Sequence, residues 1–311
     1  MKVLITGATG FIGSSVAKVV ANDGLFQLSL CSRQGVLSTP DIACYTIDDL
    51  NKDTDWKSIV GGQDVVIHTA GVAHQKVRKP SDCDLMTQVN VEATVHLAQE
   101  SAQAGVKRFI FISSIGVHGQ RSLKPFGPED QISPVDQYAL SKYEAEIALF
   151  DISKNTGMEV VIIRPPLVYG PKAPGNFSSL VKLVQKRVPL PFGLIKNKRS
   201  FVGIGNLVDL IIRCVDHPDA VGQKLLVSDG VDLSTAEFVR LISRYAAKRS
   251  LLVPVPVSVL KFMISLIGKK QLSDKLFSDL QVDSSYTEKV LDWKPPYTID
   301  QGMKQCFDRE K

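Results

Sequence analysis

The stretch that decides the fold is Lys2-Val3-Leu4-Ile5-Thr6-Gly7-Ala8-Thr9-Gly10-Phe11-Ile12-Gly13. Val3, Leu4 and Ile5 are apolar without alternation, so a strand here must bury both faces, as strands do in a parallel sheet covered by helices. From Ile12 to about residue 21 the apolar positions take a helical period. Gly7, Gly10 and Gly13 stand at the junction. A tight strand-to-helix turn needs a residue free to take positive φ, a backbone without a Cβ beside the bound group, and a helix packed closely on its strand. The helix N-terminus then offers N–H groups and a positive dipole to phosphates. This predicts a dinucleotide-binding unit, with Gly7, Thr9, Gly10, Phe11, Ile12 and Gly13 around the diphosphate.

Outward from this unit, apolar runs at 27–31, 43–47, 64–68, 108–113 and 159–164 alternate with helical patterns, notably 85–104 and 136–156. Such alternation signals βαβ units. After Pro165 prolines crowd the chain (Pro166, Pro171, Pro174, Pro189, Pro191), which ends the simple alternation. A further strand and helix are expected to return near 201–216 and 224–228. The expected fold is α/β: a doubly wound parallel sheet of Rossmann type with a smaller α/β C-terminal substrate domain. The first domain would span 1–168 plus roughly 201–228, the second roughly 169–200 plus 229–311.

A chain of 311 residues with 44% hydrophobic and 22% charged residues can bury a full core, which excludes a disordered or stapled mini-protein. Lys and Arg number 37 against 32 Asp and Glu, a net charge of +5. The bases are scattered except for Lys182, Lys186, Arg187, Lys196, Lys198 and Arg199, so a nucleic-acid partner is not expected. A small anionic ligand or a merely solvated face accounts for that cluster. The five cysteines are odd in number and far apart, without a CxxC pair; this argues for a reducing cytosol and against a disulfide or metal framework. No signal-peptide pattern opens the chain, and the apolar stretch 257–267 is too short to span a bilayer. It is expected to pack on the substrate half, with peripheral contact to a membrane or a lipid-linked sugar as the alternative.

At the end of the second strand, where an acidic residue would bind the ribose 2′-hydroxyl of NAD, the sequence reads Cys31-Ser32-Arg33. A guanidinium beside a hydroxyl suits a 2′-phosphate, which favours NADP(H) over NAD(H). The plain alternative is a surface arginine. Asp48 or Asp49, after the third strand, is placed to meet the adenine, with an exposed turn carboxylate as the alternative.

Tyr138-Ala139-Leu140-Ser141-Lys142 begins the helical pattern 136–156. Residues four apart share a face, so the Lys142 ammonium can approach the Tyr138 phenol. A cation there, with the positive nicotinamide, would bring a phenol from its ordinary pKa near 10 toward the working range and make Tyr138 an acid or base. The fifth strand runs into Ser113-Ser114 at the carboxyl edge where parallel sheets hold ligands. A serine hydroxyl there could hydrogen-bond a carbonyl or alkoxide.

Taken together, the glycine loop, Asp64-Val65-Val66-Ile67-His68-Thr69-Ala70-Gly71, Asn90, the serine strand, Tyr138 with Lys142, and Arg164-Pro165-Pro166-Leu167-Val168-Tyr169-Gly170-Pro171 resemble the extended short-chain dehydrogenase/reductase family, in its nucleotide-sugar epimerase and dehydratase branch. The resemblance covers almost the whole chain. It implies Ser114, Tyr138 and Lys142 as the catalytic triad, Lys142 also on the nicotinamide ribose, and Thr69, Ala70, Gly71, Asn90 and Pro165 near the cofactor. It implies a UDP-sugar substrate, its diphosphate held by Asn176 and Arg199, its uracil against Pro191 and Phe192, and its sugar within reach of His118. It also implies a homodimer through the helices at 85–104 and 136–156. Trp293 and Pro295 match a C-terminal turn expected to pack.

The branch's 4,6-dehydratases carry an acidic pair where this chain has Ile115 and Gly116, so elimination lacks its acid. With Arg33 pointing to NADPH, the first expectation is a reductase acting on C4 of a UDP-4-keto-6-deoxy-hexosamine, similar to bacterial surface-polysaccharide enzymes. The alternative is an NAD-dependent UDP-hexose or UDP-N-acetylhexosamine 4-epimerase. A non-catalytic NADP-binding sensor or scaffold is the third reading, disfavoured because both Tyr138 and Lys142 are present.

Overall fold

The first strand, β1 (Lys2–Thr6), pairs in parallel with β2 (Gln27–Ser32) on one side and β4 (Val65–His68) on the other. β3 (Ala43–Thr46), β5 (Arg108–Ile112), β6 (Glu159–Arg164) and β9 (Lys224–Leu226) complete a parallel sheet. In this computed structural model, which describes the chain except for residues 25, 36–41, 74–79, 249–250, 267–272, 274–275 and 309–311, the sheet has seven strands in the order β3-β2-β1-β4-β5-β6-β9. The order reverses beside β1, the doubly wound arrangement in which ligands meet the carboxyl ends of the strands.

The unbroken apolar strands are explained by cover on both faces. Val3, Ile5, Val65, Ile67, Ile110, Ile112, Val161 and Ile163 point into one core, closed by helices α1 (Phe11–Asp23) and α7 (Ile204–Asp216). Their neighbours Leu4, Val66, Phe109, Phe111, Val160 and Ile162 point into the opposite core, with Trp56 and helices α4 (Ala93–Gln103) and α5 (Gln137–Thr156). Trp293 is buried in the first core and its indole N–H donates to Asp209 Oδ1 at 2.5 Å, so its packing role is met.

The expected helix 85–104 is not one α-helix. Helix α3 (Pro80–Thr87) passes into a π-helical turn, Gln88–Glu92, before α4. Short helix α2 (Lys57–Val60) precedes β4. Beyond β6 the chain forms β7 (Leu167–Tyr169), which pairs with β8 (Phe201–Gly203), and helices α6 (Gly175–Gln185), α8 (Thr235–Tyr245), α9 (Val257–Leu266), α10 (Ser285–Val290) and α11 (Ile299–Gln305). Tyr169, Phe177, Phe201, Phe238, Ile242, Ile299 and Met303 form a separate core among these elements. A capping box at Ser234 and Glu237 fixes the start of α8.

Helix α9 departs from expectation. Of its apolar residues only Leu260 is buried, while Val259, Phe262, Met263 and Leu266 are exposed. Ile267, the last residue of the apolar stretch, lies outside the described residues.

Candidate active site

Each strand that carries a site residue ends at the same edge of the sheet, so the chain need only stop a strand to present a loop there. After β1, Gly7 takes φ of 74° and its N–H and that of Ala8 donate to Cys31 O at 3.0 and 3.2 Å, anchoring the loop to the end of β2. A Cβ on Gly7 would stand 2.7 Å from Ala70 N, and one on Gly13 would run into Gly7 O and lie 2.6 Å from Thr69 Oγ1. Both glycines are therefore required by close approach of backbone to backbone. Thr69 Oγ1 donates to Thr6 O at 2.7 Å, tying the Thr69-Ala70-Gly71 turn to β1. Helix α1 starts at Gly10 without a side-chain cap, leaving its first N–H groups aimed at the loop's concave side. These features fit a dinucleotide's diphosphate.

Asn90 sits in the π-helical turn. Its Oδ1 accepts from Val72 N at 2.8 Å, and its Nδ2 donates to Val72 O at 3.1 Å and Ser141 Oγ at 3.0 Å. A Cβ on Gly71 would lie 3.0 Å from Asn90 Oδ1 and 3.4 Å from Lys142 Nζ. Gly71, Asn90 and Lys142 thus meet beside the glycine loop. The extra residue of a π turn rotates the helix face, and here it turns Asn90 toward this corner.

Asp136 caps α5, accepting from Ala139 N at 3.0 Å, which fixes the first turn holding Tyr138. Lys142 is buried; its Nζ donates to Ile112 O at 2.9 Å and lies 4.4 Å from the centre of the Phe111 ring. Burial pushes its pKa down to about 8, against which the Glu146 charge works. Tyr138 moves the other way, up to about 12, through burial and then the Asp136 carboxylate. The expectation that Lys142 brings the phenol toward neutrality is thus not met by the protein groups alone, because dehydration and the Asp136 carboxylate both disfavour the phenolate.

Ser114 follows β5 and caps a 3-10 turn, Ile115–His118, by accepting from Gly116 N at 3.1 Å. A Cβ on Gly116 would lie 3.3 Å from Ser114 Oγ and 3.4 Å from Ala139 Cβ, so the serine faces the first turn of α5 next to Tyr138. Pro165, after β6, is buried and its carbonyl accepts from Ile115 N at 2.9 Å.

His118, read as a sugar contact or a structural residue, has protein partners on both ring nitrogens. It is buried, stacks on Phe126, and its Nε2 accepts from Arg164 Nη1 at 2.9 Å while Nδ1 faces Gln131 O at 3.3 Å. Arginine is only a donor, so the ring is neutral with its proton on Nδ1. Burial and then the Arg164 charge hold its pKa below the usual value. Arg164 in turn reaches Glu146 Oε2 at 2.5 Å and Oε1 at 3.0 Å, and Ser113 Oγ donates to Glu146. This Arg164–Glu146 network was not read from the sequence. A signal was present, since Tyr138, Lys142 and Glu146 continue the same four-residue spacing along α5.

Ser32 is buried and its hydroxyl donates to Gln34 O. Arg33 is exposed and paired with Asp49 at 3.7 Å. The guanidinium read as a phosphate ligand thus already faces a carboxylate. In the substrate half, Asn176 is exposed in the first turn of α6, and Pro191 and Phe192 are half-buried in the loop before β8. Arg199 Nη1 donates to Ser278 O at 3.0 Å; burial pushes its pKa down to about 10, so it remains a cation at neutral pH.

The doubly wound sheet, the glycine cradle and the Tyr138–Lys142 helix at the same edge define an enzyme that works with a nicotinamide dinucleotide. Residues 3–227 match the model of the NAD dependent epimerase/dehydratase family, and the chain belongs to that family. It is 45% identical over 307 residues to the UDP-glucose 4-epimerase of Vibrio cholerae, covering 97% of this chain and 93% of that protein. It is 26% identical over 324 residues to the N-acetyl-alpha-D-glucosaminyl-diphospho-ditrans,octacis-undecaprenol 4-epimerase of Escherichia coli O157:H7, covering 99% and 95%. The fold matches that of the UDP-glucuronic acid 4-epimerase of Bacillus cereus in complex with NAD, with a TM-score of 0.82, 19% identity and coverage of 99% and 98%.

Proposed function

We propose that this chain is a UDP-hexose or UDP-N-acetylhexosamine 4-epimerase that retains NAD. The observation that carries the reading is its 45% identity, across 97% of its length, with a UDP-glucose 4-epimerase. This favours epimerisation over the net reduction that Arg33 suggested, and the Arg33–Asp49 ion pair weakens the argument for a 2′-phosphate. Homologous structure with NAD supports the same cofactor.

The residues fit the chemistry. When bound, the nicotinamide supplies a hydride acceptor for C4 and a positive charge that lowers a nearby phenol's pKa. Tyr138 takes the proton from the sugar O4 and returns it, Ser114 hydrogen-bonds the same oxygen, and buried Lys142 holds the ribose and stabilises the phenolate. Arg199 and Asn176 bind the UDP diphosphate, with Pro191 and Phe192 against the base. The absence of carboxylates at 115 and 116 leaves no group to remove the C6 hydroxyl. A homodimer through α4 and α5 fits the exposed Ile147 on α5. Five free cysteines suit a cytoplasmic location.

Incubating the purified protein with UDP-glucose and, separately, UDP-N-acetylglucosamine, without added cofactor, tests this. One of the two is expected to convert to its 4-epimer, and Tyr138→Phe to slow conversion by about 10²–10⁴-fold. Mass spectrometry of the nucleotide released on denaturation should show NAD. Failure to interconvert either sugar, with one NADPH consumed per UDP-4-keto-6-deoxy-hexosamine, would establish the reductase instead.

A further inference from the structure

The charge of this chain is divided sharply along the sequence. Residues 160–208 carry eight Lys and Arg, and residues 238–273 seven, with no Asp or Glu in either segment. The rest of the chain holds 22 basic against 32 acidic residues. Arg199 and the buried Arg164 have local uses; Lys186, Arg187, Lys196, Lys198, Lys248 and Lys261 are exposed and have none in the site described above.

The fold joins the two segments. Leu190 N donates to Leu251 O at 2.7 Å, Val253 N to Leu190 O at 2.8 Å, and Gly193 N to Val253 O at 3.0 Å. The bridge between Leu190 and Leu252 is parallel, so Lys186 and Arg187, after α6, and Lys248, after α8, precede it from the same end. At the other end the second segment continues through Pro254 and Pro256 into α9, whose Val259, Phe262, Met263 and Leu266 are 45%, 64%, 54% and 71% exposed. Their spacing of three and four residues sets them in one stripe, with the buried Leu260 at its border. Leu251 and Leu194, at 58% and 43% exposure, extend the apolar surface to the joined strands. Scattered exposed apolar residues need no explanation, but a contiguous stripe of this kind marks an interaction surface.

We propose that this face docks on an anionic phospholipid bilayer, with the α9 stripe in the boundary between headgroups and acyl chains and the lysines and arginine of the two joined segments on the headgroups. Charge decides the occupant: exposed Lys186, Arg187, Lys196, Lys198, Lys248 and Lys261 come from two segments without an acidic residue, so the face is repelled by a second copy of itself and attracted to a negative membrane. No helix among the described residues is long and apolar enough to cross a membrane, so the contact is peripheral. The face includes the neighbour of the Pro191-Phe192 loop, which would set the sugar-nucleotide half of the enzyme against the membrane. The docking itself does not depend on which sugar reaction the site performs, since it is read without substrate.

Flotation of the purified full chain with vesicles of phosphatidylcholine and phosphatidylglycerol at a 3:1 ratio tests it. The protein is expected to float with these vesicles, to stay behind with pure phosphatidylcholine, and to release at high salt. A Phe262→Ser, Met263→Ser, Leu266→Ser variant and a Lys186→Glu, Arg187→Glu variant should each partition about tenfold less, with turnover of soluble substrate and the melting temperature unchanged. Three results would overturn the proposal: no flotation with anionic vesicles, flotation unchanged in the two variants, or a serine variant that alters the oligomer mass in size-exclusion light scattering while flotation stays at background, which would make the stripe a self-interface.

Discussion

Lys142 shows what burying a single cation costs. In the unfolded chain its ammonium titrates near 10.5, and in the fold burial brings it down to about 8. Below about pH 8 both states are charged and the fold bears the full penalty of the buried cation. As pH rises from 8 toward 10.5 the folded protein gives up its proton first, so the penalty shrinks. Lys142→Met should therefore stabilise the protein at pH 7, by about 2 kcal/mol once the lost bond to Ile112 O is allowed for, and the gain should fade toward pH 10. Urea denaturation of both proteins between pH 7 and 10 measures this; a gain that does not change with pH would contradict it. Spacing suggested Tyr138 and Lys142, and the family resemblance made them candidates together with Ser114. The direction of the Tyr138 shift was not legible there, because it depends on how much water the phenol loses.

At the scale of elements, the glycine turn was readable because its geometry is local: positive φ at Gly7 and a helix that starts at Gly10. What spacing could not show is that Gly13 lies against Gly7 O and Thr69 Oγ1, a contact between two separate strand ends. Gly13→Ala must push the helix away from that turn. It is expected to cost about 1–3 kcal/mol and to lower the fraction of protein that copurifies with nucleotide, both visible in a thermal melt read alongside absorbance of the released cofactor. Copurified nucleotide and stability equal to the unaltered protein would show that the loop relaxes instead. The π-helical turn at Gln88–Glu92 was invisible in the sequence, since one inserted residue leaves the apolar pattern on either side intact. The helix α9 pattern misled in the opposite way: its apolar residues read as packed on the substrate half, and only the fold shows that Val259, Phe262, Met263 and Leu266 are exposed.

At the scale of the molecule, a buried polar knot links distant parts of the chain. Tyr169 donates to Asp229 Oδ2 at 2.6 Å, while Gly203 N and Asn206 Nδ2 donate to Asp229 Oδ1 at 2.9 and 2.7 Å; Asn206 Oδ1 in turn accepts from Tyr297 N at 2.9 Å. Burial raises the Asp229 pKa, and the three donors oppose it. Asp229→Ala strands all three and should cost about 2–4 kcal/mol, seen as a lower urea midpoint, whereas Asp229→Asn should recover part of the loss. If the alanine variant matched the parent, the knot would be ornamental to stability. None of this could be read from the sequence, where Asp229 is one acidic residue in a loop.

By itself the sequence determined the strand-helix alternation, the parallel sheet, the glycine loop and the Tyr138–Lys142 pair, because each follows from periodicity or from contacts a few residues apart. Only the tertiary structure decided which groups share a space and how dry it is. That buried His118 against Phe126 and Arg164, paired Arg33 with Asp49, set Lys142 and Tyr138 on opposite shifts, and left most apolar residues of α9 exposed. The physical reason is common to all four: desolvation and neighbouring charge depend on residues that meet only when the chain is folded.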